Sequence, residues 1–405
     1  MRADPVFSVI IPVFNKWDLT RDCLLTLAEH TPEYPYEVIV ADNGSSDDTA
    51  SQLQHLGARL FGDRFTRIRF EENRNFGPAC NAGAKAASAP LLFFLNNDTL
   101  LRPGWAPPLV RALEDDPGLG AVGPLLLYED NTVQHLGVVF SLFRVSHLYQ
   151  GFPSDHPVAR RRRDLQAVTA AALMTPRELF LALDGFYEEY QNGFEDVDFC
   201  LRMRGLGKRL TCVPESVICH LESQTPGRKT SEQHNGELLQ LRCGSLRRTD
   251  EHIHGLRDGF LPFLTDKAGI GLRMKDKAER DLAAQAEGRE ADYWFALTRK
   301  HPLWVLGREH LAQALEREGL YGHAIGLRHE AASILGSAEA WDRLCHTAEA
   351  AGNRELADEA RSFAVEYAEA RRDKELFRKA LRTAVNHGDR FLRDLCETRM
   401  KEFSS

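Results

Sequence analysis

The sequence predicts an α/β domain built on a mostly parallel sheet, followed by an all-α domain of helical repeats. Three observations carry this. Short apolar runs alternate with helix-spaced segments as far as Asn96, the pattern of strands that cross over through helices. Past about Asp266, strand-like runs and most prolines give way to Ala, Leu, Glu and Arg at helical spacing. In that tail Gly319, Gly352 and Gly388 recur 33 and 36 residues apart, each between two helix-spaced stretches.

The elements follow in order. Val6 to Pro12 is a nearly unbroken apolar run and reads as a buried strand. Leu19 to His30 has helical spacing. Tyr36 to Asp42 is a second strand and Ser46 to Leu56 a second helix. Arg67 to Glu71 is a short third strand, Ala79 to Ala87 a helix of small residues, and Leu91 to Asn96 a fourth strand. From Ala121 to Cys219 the pattern is mixed, with one helix near Phe199 to Gly205. These patterns divide the chain at residues 1–265 and 266–405. In the second part Ala312, Leu315 and Gly319 precede Ala324, and Ala348, Ala351 and Gly352 precede Leu356 and Ala357. A helix, a glycine turn and a second helix resemble degenerate tetratricopeptide repeats; a plain helical bundle with chance spacing is the other reading.

Composition narrows the function. The chain has 405 residues, 43% hydrophobic and 27% charged, an ordinary globular balance for two or three domains. A net charge of -8 argues against broad, non-specific nucleic-acid binding. Eight cysteines include no C-x-x-C pair, so the expectation is reduced, buried thiols without a structural zinc. The expectation is that the chain runs into its first strand without a leader, and no apolar run reaches the ~20 residues that span a bilayer. The expected location is cytoplasmic, or peripheral at the inner face of a membrane.

Ligands of open α/β sheets sit beyond the carboxyl ends of the strands, where Asp42, Asn43, Asn96, Asn97 and Asp98 fall. Asp42 can accept from a base N–H or a ribose hydroxyl; Ser45 and Ser46 beside it equally suit a plain helix cap. Asn75, Asn81 and Arg74 flank a helix start that favours an anion, or form an ordinary loop. Asp98, with Asn96 or water, can hold a hard divalent cation against a diphosphate, or close an Asx-turn. Glu195, Asp196 and Asp198 open a helix; acids there serve its dipole, and one can act as a general base. His220 ends an apolar run, as a ligand or a structural imidazole. Arg160 to Arg163 is a solvated loop or an attractor of an anionic acceptor.

The order and spacing of these pieces resemble the family 2 inverting glycosyltransferases of GT-A fold, especially a bacterial rhamnosyltransferase-like branch. The carrying stretches are Ser8 to Asn15, Val40 to Asp47, Asn75-Phe76-Gly77 through Asn81-Ala82-Gly83, Leu95 to Asp98, Gly185 to Glu188, Phe194 to Asp198, and His220-x-x-Ser223. The resemblance implies a Rossmann-like sheet and a transferase of the hexosyl type. Pro12, Asn15 and Asp42 would line the nucleoside pocket. Asn96-Asn97-Asp98 would occupy the metal motif, with Asp98 the main carboxylate and His220 a further ligand of Mn2+ or Mg2+. Asp196 would be the base, with Glu195 beside it. The family motif often begins with Asp where this chain has Asn96, which removes one negative charge. The donor would be a nucleotide-diphosphate sugar, UDP- or dTDP-linked, and the acceptor a glycan, a lipid-linked sugar or a protein. A sugar nucleotidyltransferase would normally carry a glycine-rich loop after the first strand, and Pro12 to Lys16 has no glycine. A non-catalytic docking protein working through its helices is the second rival.

Overall fold

A computed structural model describes residues 3–31, 34–222 and 231–403. The chain divides into two compact units. The first comprises Met1–Val139 and His147–Arg247, the second Phe140–Ser146 and Arg248–Ser405.

The first unit opens as strand–helix repeats: β1 (Phe7–Val13), α1 (Trp17–Glu29), β2 (Tyr36–Asp42), α2 (Thr49–Phe61), β3 (Phe65–Arg69), α3 (Phe76–Ala86) and β4 (Leu91–Leu95). Then follow β5 (Thr99–Leu101), α4 (Ala106–Asp115), β6 (Leu119–Leu127), β7 (Val133–His135), and a separate ribbon of β8 (Val138–Phe140) and β9 (Val145–His147). β10 (Ala172–Pro176), α5 (Arg177–Ala182), α6 (Glu195–Gly205), β11 (Arg209–His220) and α7 (Glu232–Cys243) complete it.

The main sheet runs β3-β2-β1-β4-β10-β6-β11-β5, with β7 on β6. β1, β2, β3 and β4 are mutually parallel, β10 runs against β4 and β6, and β11 runs with β6. The carboxyl ends of β1, β2, β4 and β11 therefore lie along one edge. Antiparallel pairing of β5 with β11 sets Thr99 opposite His220 there. This is the Rossmann-like GT-A architecture.

Burial on both faces explains the sequence pattern. Val38 to Asp42 are all but inaccessible, and Phe93 packs on Trp105 with ring centroids 4.6 Å apart. A Cβ at Gly83 would stand 2.5 Å from Ile10 Cγ2, so glycine lets α3 approach β1 closely. All eight cysteines are buried free thiols.

The second unit holds α8 (Glu251–Arg257), a hairpin of β12 (Leu261–Leu264) and β13 (Ile270–Arg273), then α9 (Asp276–Ala286), α10 (Ala291–Lys300), α11 (Val305–Arg317), α12 (Tyr321–Leu335), α13 (Ala338–Ala350), α14 (Arg354–Arg372), α15 (Lys374–Asn386) and α16 (Arg390–Glu402). β13 corrects the expectation that strands end before Asp266. Its four residues include a glycine, too few to show a period of two.

The recurring glycines separate α11 from α12, α13 from α14 and α15 from α16. Gly319, Gly352 and Gly388 adopt φ of +77°, +75° and +66°, left-handed conformations that end a helix without strain. Asn353 and Asp389 follow at once as N-caps, accepting from the Leu356 and Leu392 amides. Alanines let the paired helices close up: Ala312 with Ala324, Ala348 with Ala357, and Ala380 and Ala384 of α15 with Leu392 and Cys396 of α16, in their respective cores. Between α11 and α12, the buried guanidinium of Arg328 pairs with Glu309 and with Glu316 at 2.8 Å. Among the described residues no helix is long and apolar enough to cross a membrane.

Candidate active site

The edge formed by the strand ends carries the acidic and imidazole groups. Asn96, Asn97 and Asp98 occupy the turn between β4 and β5. Asn96 N–H donates to Ala171 O at 2.9 Å, the Asn96 carbonyl accepts from Thr99 Oγ1 at 2.7 Å, and Asn97 Nδ2 donates to Thr20 Oγ1 at 2.9 Å. Leu221 N–H bonds Asp98 O at 2.9 Å, which continues the β5–β11 pairing past His220. The buried Asp98 carboxylate thus meets His220: Asp98 Oδ1 lies 3.1 Å from Nε2, with Asn96 Nδ2 3.4 Å from the same nitrogen. The other ring nitrogen, Nδ1, lies 2.6 Å from Gln134 Oε1, and Gln134 Nε2 donates to the His220 carbonyl at 3.1 Å. Ser223, part of the stretch that carried the resemblance, lies outside the described residues.

Asp196 stands in the first turn of α6. Its Oδ1 accepts from the Val197 amide at 2.8 Å and its Oδ2 from the Ala170 amide at 2.9 Å. Since Asn96 bonds to Ala171, two consecutive residues tie the Asp196 carboxylate to the turn that carries Asp98. His135 supports the same segment: its Nε2 accepts from Thr169 N–H at 3.3 Å, and its Nδ1 meets His147 Nδ1 at 2.6 Å. Burial, then the charges of His147 and His220, hold the His135 imidazole well below its usual pKa and keep it neutral. Glu195 is buried, and its Oε2 accepts from Gly193 N–H at 2.7 Å.

Two residues on, Asp198 anchors α6. Its buried carboxylate takes Arg202 Nε at 2.6 Å, Arg242 Nε at 2.7 Å and Tyr190 OH at 3.2 Å. Burial pushes this carboxyl upward, but Arg242 and Arg202 more than offset that and hold it below the usual carboxylate range. Arg242, on α7, also lies 3.5 Å over the Tyr187 ring. Phe194, before the helix, sits at φ +73°, a conformation rare for a bulky residue.

The expected donor residues line the opposite end of the edge, and most are engaged with one another. Asp42 is fully buried; Oδ1 accepts from Ser45 N–H at 2.9 Å, while Oδ2 takes Arg67 and Arg69, the latter at 2.8 Å. Burial raises its pKa, but Arg67 and Ser45 outweigh burial and lower it. Pro12 pairs with Ala41 at the end of β1. Asn15 Oδ1 accepts from the Ser46 amide at 2.8 Å, stitching the loops after β1 and β2 together. Asn43 Nδ2 donates to Asn75 O at 3.1 Å and its Oδ1 accepts from Arg74 N–H at 3.4 Å. The Arg74 guanidinium lies 5.1 Å over the Phe70 ring. Asn75 adopts φ +66° and ψ -177°, and Asn192 reaches it from the acidic side, taking Phe76 N–H at 3.0 Å and donating to Asn75 Oδ1 at 3.3 Å. Asn81, read as a donor amide, spends its whole amide inside the protein. It accepts from Phe186 N–H at 2.9 Å and donates to Phe186 O at 2.8 Å and Glu188 Oε1 at 3.0 Å. Its role is to hold the Gly185–Glu188 loop.

Gln134, His135, Asn192, Arg67, Arg69, Arg202 and Arg242 escape the sequence reading. Their partners are remote in sequence, and nothing local marks them. Among the described residues no group of three or more His, Cys, Asp or Glu side chains gathers around one point. Asp98 and His220 nonetheless fit a divalent cation that shares its ligands with a diphosphate. One carboxylate and one imidazole suffice when phosphate oxygens and water supply the rest. Their 3.1 Å separation matches that of neighbouring ligand atoms around a small octahedral cation, about 3 Å.

A mixed Rossmann-like sheet, with an acidic turn after its fourth strand and a histidine closing on it, defines a glycosyltransferase domain of GT-A fold. The model of glycosyl transferase family 2 matches residues 8–150. That match ends before β10, so Asp196 and His220 lie beyond it. The chain is 32% identical over 241 residues to the uncharacterized protein y4gI of Sinorhizobium fredii, 58% of this chain and 26% of that one. It is 32% identical over 231 residues to the O-antigen biosynthesis protein RfbC of Myxococcus xanthus, 55% of this chain and 18% of that one. The chain therefore spans about a quarter or less of the length of these relatives. It is also similar to the mannosyltransferase PcManGT from Pyrobaculum calidifontis in complex with GDP-Man and Mn2+, at 17% identity and a TM-score of 0.43, covering 91% of this chain and 87% of that one.

Proposed function

We propose that this chain is a metal-dependent inverting glycosyltransferase that moves a sugar from a UDP- or dTDP-linked donor to an acceptor hydroxyl in bacterial surface-glycan synthesis. One observation carries the reading: the Asp98–His220 pair at 3.1 Å, tied through Ala170 and Ala171 to the Asp196 carboxylate. The relation to an O-antigen biosynthesis protein supports the surface-glycan class.

Asp196 takes the proton of the acceptor hydroxyl. The freed oxygen pair forms a bond to the anomeric carbon, on the face opposite the leaving group. The bond from that carbon to the diphosphate oxygen breaks, and its electron pair leaves with the nucleoside diphosphate. A single displacement inverts the anomeric centre. The Ala170 and Val197 amides orient the Asp196 carboxylate for this step through two N–H bonds. Mn2+ or Mg2+ held by Asp98 and His220 would offset the charge on the departing diphosphate. Asp42, fixed by Arg67 and Arg69, shapes the nucleoside pocket with Pro12, Asn15 and Asn43. The three helix–glycine–helix pairs support a tetratricopeptide-like docking role for the second unit, with a protein as its partner.

The test is product analysis with UDP-, dTDP- and GDP-sugars, Mn2+ and glycan acceptors. Released nucleoside diphosphate is expected; released pyrophosphate would mark a nucleotidyltransferase, and absence of any nucleotide-sugar binding a docking protein. Asp196→Asn should bind donor as the wild type does and lose transfer by roughly 10²–10⁴-fold.

A further inference from the structure

Gln134 lies on β7, a strand fixed to β6 by main-chain pairing on both sides of it, and its side chain is buried. It meets His220 at two points. The His220 carbonyl oxygen can only accept, so the amide nitrogen of Gln134 must stand against it, as it does at 3.1 Å. The amide oxygen is thereby turned to the ring, 2.6 Å from Nδ1. An amide oxygen also only accepts, so Nδ1 carries the hydrogen. In the neutral ring the lone pair then lies on Nε2, the nitrogen that faces Asp98.

We infer that Gln134 is a positioning residue that fixes the His220 tautomer and ring plane, making Nε2 the ligand atom that His220 presents beside Asp98. It rests on the reading of Asp98 and His220 as a cation site. Two electron-rich atoms, a carboxylate oxygen and an imidazole nitrogen, are thus turned toward each other, an arrangement that calls for positive charge between or beside them. Without Gln134 the ring is free to move its hydrogen to Nε2 and to rotate away.

Mn2+ binding to the full chain, alone and with saturating UDP, measured by electron paramagnetic resonance, tests this in wild type, Gln134→Leu, Gln134→Glu and His220→Ala. Gln134→Leu should weaken Mn2+ about 10- to 100-fold, and Gln134→Glu, which keeps the acceptor at Nδ1 but sets an oxygen in place of the donor at the His220 carbonyl, should recover part of the loss. In the metal-free wild type, the histidine ring 15N spectrum, with His220 assigned by its loss in His220→Ala, should show the hydrogen on Nδ1. If His220→Ala weakens Mn2+ and Gln134→Leu does not, or if the hydrogen sits on Nε2, the inference alone fails. If the wild type binds no Mn2+, or His220→Ala leaves binding unchanged, the cation-site reading fails and takes the inference with it.

Discussion

Replacing Asp198 with asparagine separates the scaffold of the acidic helix from its chemistry. Asparagine keeps one acceptor oxygen and turns an amide toward the other guanidinium, donor against donor. Breaking a buried ion pair costs about 3–5 kcal/mol. Here the loss falls near the lower bound, for two reasons. Arg202 and Arg242 side chains retain 20% and 26% exposure, so water reaches them. Arg202 also keeps the Leu183 carbonyl at 2.5 Å and the Gly185 carbonyl at 2.7 Å. About 3 kcal/mol, in a unit this size, corresponds to a fall in Tm of about 6–12 °C, readable by calorimetry at pH 7. The pH dependence supplies an independent check. The Asp198 carboxyl is held below its usual value in the folded chain, so its contribution is fully present above the unfolded pKa, about 3.9. It is lost as pH falls through the folded value beneath that. The gap between wild type and variant should therefore narrow below about pH 4. A fall under about 2 °C at pH 7, or a gap unchanged down to pH 3, would refute the assignment of Asp198 as the ionic anchor between α6 and α7.

Two further substitutions probe other parts of the molecule. Gly185→Ala forces a side chain into φ +66° and sets its Cβ 2.3 Å from Asn81 Oδ1; left-handed strain of about 1–2 kcal/mol plus a lost hydrogen bond of about 1 kcal/mol should destabilise the protein by about 2–3 kcal/mol in urea unfolding. In the second unit, Arg328→Met leaves Glu309 and Glu316 facing each other without their shared guanidinium, and about 3 kcal/mol of stability should go, seen as a lower urea midpoint with unchanged nucleotide binding.

The parallel strands are legible because burial on both faces demands continuous apolar runs. β1, β2 and β4 fall within a residue or so of their expected bounds, and β3 within two. Helix starts are harder. α2 begins at Thr49 rather than Ser46, because Asp47 spends its carboxylate on the Trp17 and Thr49 amides and holds the preceding turn open. α3 begins at Phe76, where Gly77 and Pro78 disguise a first turn that proline tolerates. α6 begins at Glu195, four residues before Phe199, since three acids in its first turn mask the apolar period. The acidic and imidazole groups at strand ends, Asp42, Asp98 and His220, are legible because topology alone carries them to one edge. Their partners are not. Gln134 lies 86 residues from His220 and Asn192 117 from Asn75, and only the folded sheet relates them.

The two alanines between Asp196 and Asn96 have a consequence for how this centre can vary. Ala170 offers its N–H to one side and Ala171 its carbonyl to the other, so a single stretch of main chain acts as the gauge block between the Asp196 carboxylate and the Asn96–Asp98 turn, the proposed base and the proposed cation site. A tilt of that stretch displaces both ends together. Tuning one without the other requires exchanging side chains, not shifting backbone, and a proline at position 170 would remove the N–H that seats Asp196 while every ionisable group remained in the sequence.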